Sequence, residues 1–373
     1  MAFRSGPLDL GRIRGLTSYP HTLDDRSLHL IHYQNTMPIA NGRTMPIANG
    51  KTVPIVNGHK AAHRRPHILN VLERRYDARF YESIAAIMAL RNSYLQNRFI
   101  FVRGEDMIPI LAGLGAREDD FDAVKQISDL TGPDPTLDYR SVTYGRYCID
   151  PETRSIRRLE AQPYTLTVQE DYKRHDSGIP RMFDETPTDM QGNTVVQAIM
   201  LFKALIFQGV PVSPRDGLDY SSPAWICTMF NARTHTCKDS GIFGEPALEG
   251  VHSDGSDHTM TVFLGSKNMR PDSAVTFMHD NQETTGVQTW ETNPTLIRGR
   301  VHHQHFLDTL MFVDHEYKHS VTSVHQLDTS QPTSRDMLVV FTRRPKLDGH
   351  VSGYADTMDL HRTAPLQMPM WLP

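Results

Sequence analysis

The chain of 373 residues is 39% hydrophobic and 22% charged, the balance of a globular protein long enough to bury a sizeable core. Its formal net charge of -4, from 39 basic against 43 acidic side chains, gives no global positive field, so neither nucleic acid nor an anionic membrane is an expected partner. Cys148, Cys227 and Cys237 form an odd set without a C-x-x-C pair, which argues against a disulfide framework or a structural zinc site.

The stretch Met1 to Gly15 carries arginines but no apolar run of signal-peptide length. No segment approaches the ~18 apolar residues needed to cross a bilayer, and the expected compartment is the cytoplasm. An octapeptide follows in three tandem copies, Thr36 to Arg43, Thr44 to Lys51 and Thr52 to His59, each holding a Pro and an Asn-Gly. That spacing interrupts helix and sheet alike, and three short copies are too few for a solenoid. Residues 1–65 are therefore expected to be a flexible extension ahead of a single domain, 66–373.

Apolar residues at helical spacing predict helices over Tyr81 to Leu95, Glu118 to Leu130 and Thr194 to Phe207, with turns at Gly132 to Pro135 and at Asp150-Pro151. From about residue 224 the texture changes to short β-branched and aromatic runs separated by Gly, Pro, Asn and Asp. Strands are expected at Trp225 to Arg233, Thr259 to Leu264, Ala274 to His279, Asp308 to Asp314, Ser320 to Gln326 and Asp336 to Arg343. The fold class is α+β, mainly β: a double-stranded β-helix of jelly-roll or cupin type, with helices flanking one sheet.

Glu249-Gly-Val-His-Ser-Asp-Gly255 is the most informative segment. In a strand, His252 and Asp254 would point to one side and could offer an imidazole nitrogen and a carboxylate oxygen to one cation. A third ligand completes a set of two histidines and one carboxylate, which leaves open positions on iron(II) for O2 activation. His319, just before an expected strand, is the candidate. The H-x-D alone is weak in a chain with 19 histidines, and Asp257-His258 and Asp314-His315 show how common such neighbours are. What strengthens it is the order of parts: H-x-D, several strands, a lone His, then Arg335 opening a final apolar strand. 2-Oxoglutarate on iron leaves a distal carboxylate, which a guanidinium answers with two parallel hydrogen bonds.

Together, Glu249 to Gly255, His319-Ser-Val-Thr322 and Arg335-Asp-Met-Leu-Val-Val340 resemble the bacterial L-isoleucine hydroxylase family, 2-oxoglutarate/iron dioxygenases that hydroxylate free aliphatic amino acids. The likeness extends upstream through Tyr172 to Phe183 and Asn231-Ala-Arg233, covering roughly residues 140–344. It implies His252, Asp254 and His319 on iron and Arg335 on the co-substrate, with no catalytic group beyond the metal ligands. Ser253, where relatives often carry a basic residue, and the missing glycine pair after the strand near Asn268 depart from the family pattern. These departures bear on the substrate rather than on the metal.

The expected activity is hydroxylation of a free, aliphatic L-amino acid or similar small metabolite, using Fe(II), 2-oxoglutarate and O2. The same iron chemistry diverted to oxidative cyclisation, with C–N bond or aziridine formation, or to desaturation in a specialised biosynthetic pathway is the alternative. A non-catalytic metal-binding jelly roll and a cupin using another divalent ion are readings of other classes. For the substrate, Arg233 is expected to take a carboxylate, Asp257 or Glu249 an ammonium group, and Asn231 to share the pocket wall. A homodimer is kept open as the assembly. His302-His303-x-His305 lacks the helical H-E-x-x-H arrangement of a zinc site and is read as a solvated loop.

Overall fold

A computed structural model describes residues 67–237, 241 and 243–372; the octapeptide copies and the expected extension lie outside the described residues. Helix α1 (Ala78–Asn97) starts where the Asp77 side chain accepts a hydrogen bond from the Arg79 amide, and it buries Phe80, Ile84, Ile87, Leu90 and Tyr94 on one face. It ends at Arg98, whose left-handed backbone turns the chain into strand β1 (Phe99–Val102). Helices α2 (Gly104–Leu114) and α3 (Glu118–Val124) follow. A separate 3-10 turn, Ile127–Leu130, completes what the periodicity predicts as one longer helix.

Next come strands β2 (Gly132–Pro133), β3 (Arg140–Asp150), β4 (Ser155–Leu159) and β5 (Asp184–Glu185), and helices α4 (Thr188–Gln191) and α5 (Thr194–Phe207). The strand-rich half holds β6 (Trp225–Thr236), β7 (His258–Lys267), β8 (Thr276–His279), β9 (Ile297–Val301), β10 (Thr309–Val313), β11 (Lys318–Val321), β12 (Thr333–Arg343) and β13 (Gln367–Pro369). The larger sheet runs β1-β10-β7-β12-β6-β3-β4-β13, antiparallel throughout that path, with β2 and β5 paired to β3. A smaller sheet, β11-β8-β9, forms the second layer. This is the mainly antiparallel jelly roll that the strand spacing predicts.

Strand β12 shows how the layers divide. Arg335, Met337, Val339 and Phe341 face the cavity between the sheets, while Leu338, Val340 and Thr342 are buried on the other side. On that outer side α5 is buried along its whole length, capped by Asn193 accepting from the amides of Val195 and Val196. Lys203 of α5 donates its ammonium to the carbonyls of His258 and Val340, and the Phe207 ring stacks on His258. The helix is thereby tied to both β7 and β12. Among the described residues no helix is long and apolar enough to cross a membrane.

The sequence expectations shift at three places. The Ser320 to Gln326 strand is observed as β11, Lys318–Val321, and residues 324 and 326 contribute only isolated bridges. Ala274 has a left-handed φ of 55°, so β8 begins two residues later than expected. The first half, expected to be helix-rich with a few strands, also supplies β3, an 11-residue strand at the heart of the larger sheet whose position was not given in advance.

Candidate active site

Residues 249–255 form a loop ahead of β7, not the strand that the H-x-D argument assumes. Two glycines with left-handed backbone bracket it, Gly250 (φ 73°) and Gly255 (φ 65°). A Cβ on Gly250 would lie 2.3 Å from the Val287 carbonyl oxygen, so the bend admits only glycine. The bend turns the Gly250 carbonyl onto His252 Nδ1, 2.9 Å away, which leaves His252 Nε2 as the lone-pair nitrogen toward the cavity. His252 and His319 exchange both backbone hydrogen bonds, at 3.0 and 2.9 Å, joining the loop to β11 of the smaller sheet.

Asp254 lies between the two imidazoles. Its oxygens are 3.3 Å from His252 Nε2 and 3.4 Å from His319 Nε2. One ligand atom from each of the three residues falls within 4.8 Å of the others, and all three residues are buried. Ligand bonds of ~2.0–2.2 Å meeting at right angles place donor atoms about 3 Å apart, so a first-row divalent ion fits this set with adjustments of a few tenths of an ångström. Burial pushes both imidazoles down, but at His252 the Glu249 and Asp254 carboxylates outweigh it and hold the pKa up to about 9. At His319 the charge of His252 adds to burial and the pKa falls to about 3.

A second layer fixes the ligands. Asp314 accepts the Asp254 amide at 2.8 Å and stands 3.9 Å from His319 Nδ1, and Thr259 donates to Asp254 at 3.2 Å. Burial and the neighbouring Asp254 charge push the Asp314 carboxyl well up.

The cavity over the triad encloses about 150 Å3. At ~10–15 Å3 for each water, it has room for on the order of ten waters, enough for a small diacid and a second small molecule. Arg335 is its most informative wall residue. The residue is 6% exposed, its Nε has no hydrogen-bond partner, and among the described residues no carboxylate lies within ion-pair distance of it. Burial alone lowers its pKa to about 10, so at neutral pH it is a buried cation without a counter-ion among the described residues. Natural interiors rarely keep such a group unless a ligand supplies the anion.

His303 does not lie in a solvated loop: it is buried, held down to a pKa of about 3 by burial and the Arg335 charge, and bonded through Nε2 to Thr261 in the cavity wall. His302 bonds the Ser273 carbonyl.

Three residues expected around the substrate are placed elsewhere. Arg233 grips Asp336 through two hydrogen bonds of 2.7 and 2.8 Å and reaches Asp129 at 2.8 Å, outside the cavity wall. Asn231 points to the other face of β6, where it ties the 3-10 turn through Ser128 and the Ile127 carbonyl. Asp257 accepts from Tyr220 and the Arg344 amide behind the loop. Glu249, by contrast, lines the cavity, as do Arg140, Tyr172 and Arg181, which the sequence motifs did not single out. Two of these, Tyr172 and Arg181, lie in the Tyr172 to Phe183 stretch that carried the family likeness, and that was the available signal.

A profile of the family described as 2OG-Fe dioxygenase matches residues 125–341. The bifunctional enzyme flvA of Aspergillus flavus is 53% identical over 304 residues, 82% of this chain, and the chain spans only 37% of that relative's length. Among solved structures, the Fe(II)/alpha-ketoglutarate-dependent dioxygenase TqaL is similar with 45% identity and a TM-score of 0.69, over 80% of this chain and 99% of that one. IDO from Bacillus thuringiensis, at 14% identity and a TM-score of 0.52 over 69% of this chain and 95% of that one, shares the fold.

Proposed function

Because the chain belongs to the 2OG-Fe dioxygenase family, enzymes that use iron(II), 2-oxoglutarate and O2, we propose that His252, Asp254 and His319 hold the iron and Arg335 the distal carboxylate of 2-oxoglutarate. The observation that carries this reading is the pairing of two incomplete groups in one cavity: a three-ligand cluster open on the cavity side and a buried guanidinium without an acid among the described residues. Each lacks what an iron-chelated dicarboxylate would provide.

Bound iron with 2-oxoglutarate and O2 supplies the oxidising power for an unactivated C–H bond, the co-substrate leaving as succinate and CO2. The chain's own residues do the rest. Gly250 orients His252, Asp314 holds the Asp254 backbone amide, Arg335 anchors the co-substrate, and Phe183, Phe230 and Phe341 give the cavity an apolar wall that excludes water. The substrate is a free, aliphatic amino acid or similar small molecule, and the outcome is hydroxylation. The motifs shared with the L-isoleucine hydroxylases support placing the chain beside those enzymes within the family.

Anaerobic titration of the apoprotein with iron(II) and 2-oxoglutarate tests this. A weak visible charge-transfer band in the wild type, absent in His252→Ala, is expected, followed by substrate-dependent succinate release with an aliphatic L-amino acid. A product that gains one oxygen is the expected outcome, while one that loses two hydrogens would move the assignment to cyclisation or desaturation. No band in the wild type would overturn the triad.

A further inference from the structure

The inward row of β12 does not end at Phe341. Two residues on, Arg343 points to the same side and enters a second, smaller cavity. Tyr164 lines both cavities and stands between them, its ring stacked on Phe341 at 6.1 Å and edge-on to Phe230 at 4.9 Å. Four charged side chains line the smaller one: Arg146 of β3, Arg343, and Lys346 and Asp356 from the segment after β12.

One carboxylate thus answers three cations. Asp356 Oδ1 accepts from Arg146 Nη2 at 2.9 Å and Arg343 Nη2 at 3.2 Å, and Oδ2 accepts from Arg343 Nη1 and the Lys346 amide. Each oxygen already has two donors, and the Lys346 ammonium is left with Ser352 Oγ, at 2.8 Å, as the acceptor for its three protons. Glu170, the other carboxylate that acts on Lys346, spends its Oε2 on the amide and hydroxyl of Thr167 at 3.1 and 3.0 Å. Burial and the Arg343 charge push the Lys346 ammonium down to about 7. Thr165, buried in the same wall, has a hydroxyl without a hydrogen-bond partner among the described residues.

Donors in excess of acceptors would be satisfied by water, but positive charge in excess of negative is not. The cavity encloses about 20 Å3. That is room for one or two waters at ~10–15 Å3 each, too little for a phosphate or a metabolite carboxylate and enough for a monatomic anion. We propose that this cavity is a halide site, filled by chloride, with Arg146, Arg343, the Lys346 ammonium and the Thr165 hydroxyl around the ion. The site lies across Tyr164 from the iron cluster and stands independently of the iron reading. The ion joins β3, β12 and the segment after β12 behind Tyr164, and so braces the active-cavity wall from the rear.

Thermal melting at fixed ionic strength, with sodium gluconate replaced stepwise by sodium chloride or bromide, tests the site, since gluconate is too large to enter. Tm is expected to rise saturably with either halide, by roughly 2–4 °C at ten times the dissociation constant. A crystal soaked in bromide should show an anomalous-scattering peak between Arg343 and Lys346. Lys346→Met should abolish the halide-dependent rise, and Thr165→Val should move its midpoint to roughly tenfold higher halide. Should Lys346→Met fail to fold, Thr165→Val and the wild-type bromide peak decide. A Tm unchanged across the series overturns the proposal, and with a bromide peak present it means binding at crystal concentration only. A rise without a peak in this cavity, or one undiminished in the variants that fold, places the ion elsewhere and overturns it too.

Discussion

At the scale of single residues the site is defined by what its side chains lack. Arg335 spends no hydrogen bond on a protein carboxylate, and a cation buried in that way weakens the empty fold while preparing it for an anionic ligand. Arg335→Met is therefore expected to act in opposite directions on stability and on binding. The apoprotein should melt at the same or a higher temperature than wild type, while KM for 2-oxoglutarate should rise on the order of 100-fold. Thermal scans and initial-rate kinetics on the same preparation check the pair. A variant that melts lower and keeps its KM would make Arg335 a structural residue.

Helix α5 raises the corresponding question for a whole element. Lys203 is fully buried, and burial lowers its pKa from 10.5 to about 7 although it donates to two carbonyls. The unfolded chain therefore binds more protons than the folded one between about pH 7 and 10.5, and stability should rise with pH across that window. The stability present above the upper limit is lost as pH falls through the folded value, at a slope of about 1.4 kcal/mol per pH unit for one group. Urea denaturation at several pH values should show that slope in the wild type and its removal in Lys203→Met. An unchanged slope in the variant would mean that Lys203 does not report on the docking of α5.

The same elements show which signals the sequence carries. Helix α5 is found over the predicted Thr194–Phe207 because an Asn cap precedes an apolar run interrupted only by Gln197 and Lys203. Strand β3 was not read because both of its faces are covered, so the alternation that marks a half-buried strand is missing from Arg140–Asp150. Strand β11 was displaced because only one of its two cavity-facing residues, Val321, is apolar, the other being His319. The triad and Arg335 were legible from their order along the chain. Asp314 was hidden for the reason that Asp-His neighbours are common, and the unpartnered Nε of Arg181 shows only in the folded chain, where Arg174 already takes Asp176.

Across the whole molecule the cavity draws on both halves of the chain. Residues 140–183 supply Arg140, Tyr172 and Arg181, and residues 249–341 supply the triad and Arg335. The triad sits at a junction between layers: His252 and Asp254 lie in the loop that runs into β7 of the larger sheet, and that loop is hydrogen-bonded through His252 to His319 of β11 in the smaller one. A cation held by all three would act as a rivet through two plates, and closed plates would slow its escape. Its loss to a chelator should keep time with the slowest amide hydrogen exchange in β8 and β11, and loading the metal should slow that exchange in the smaller sheet. Chelator release much faster than that exchange would mean the ion leaves through the cavity mouth with the sheets still closed.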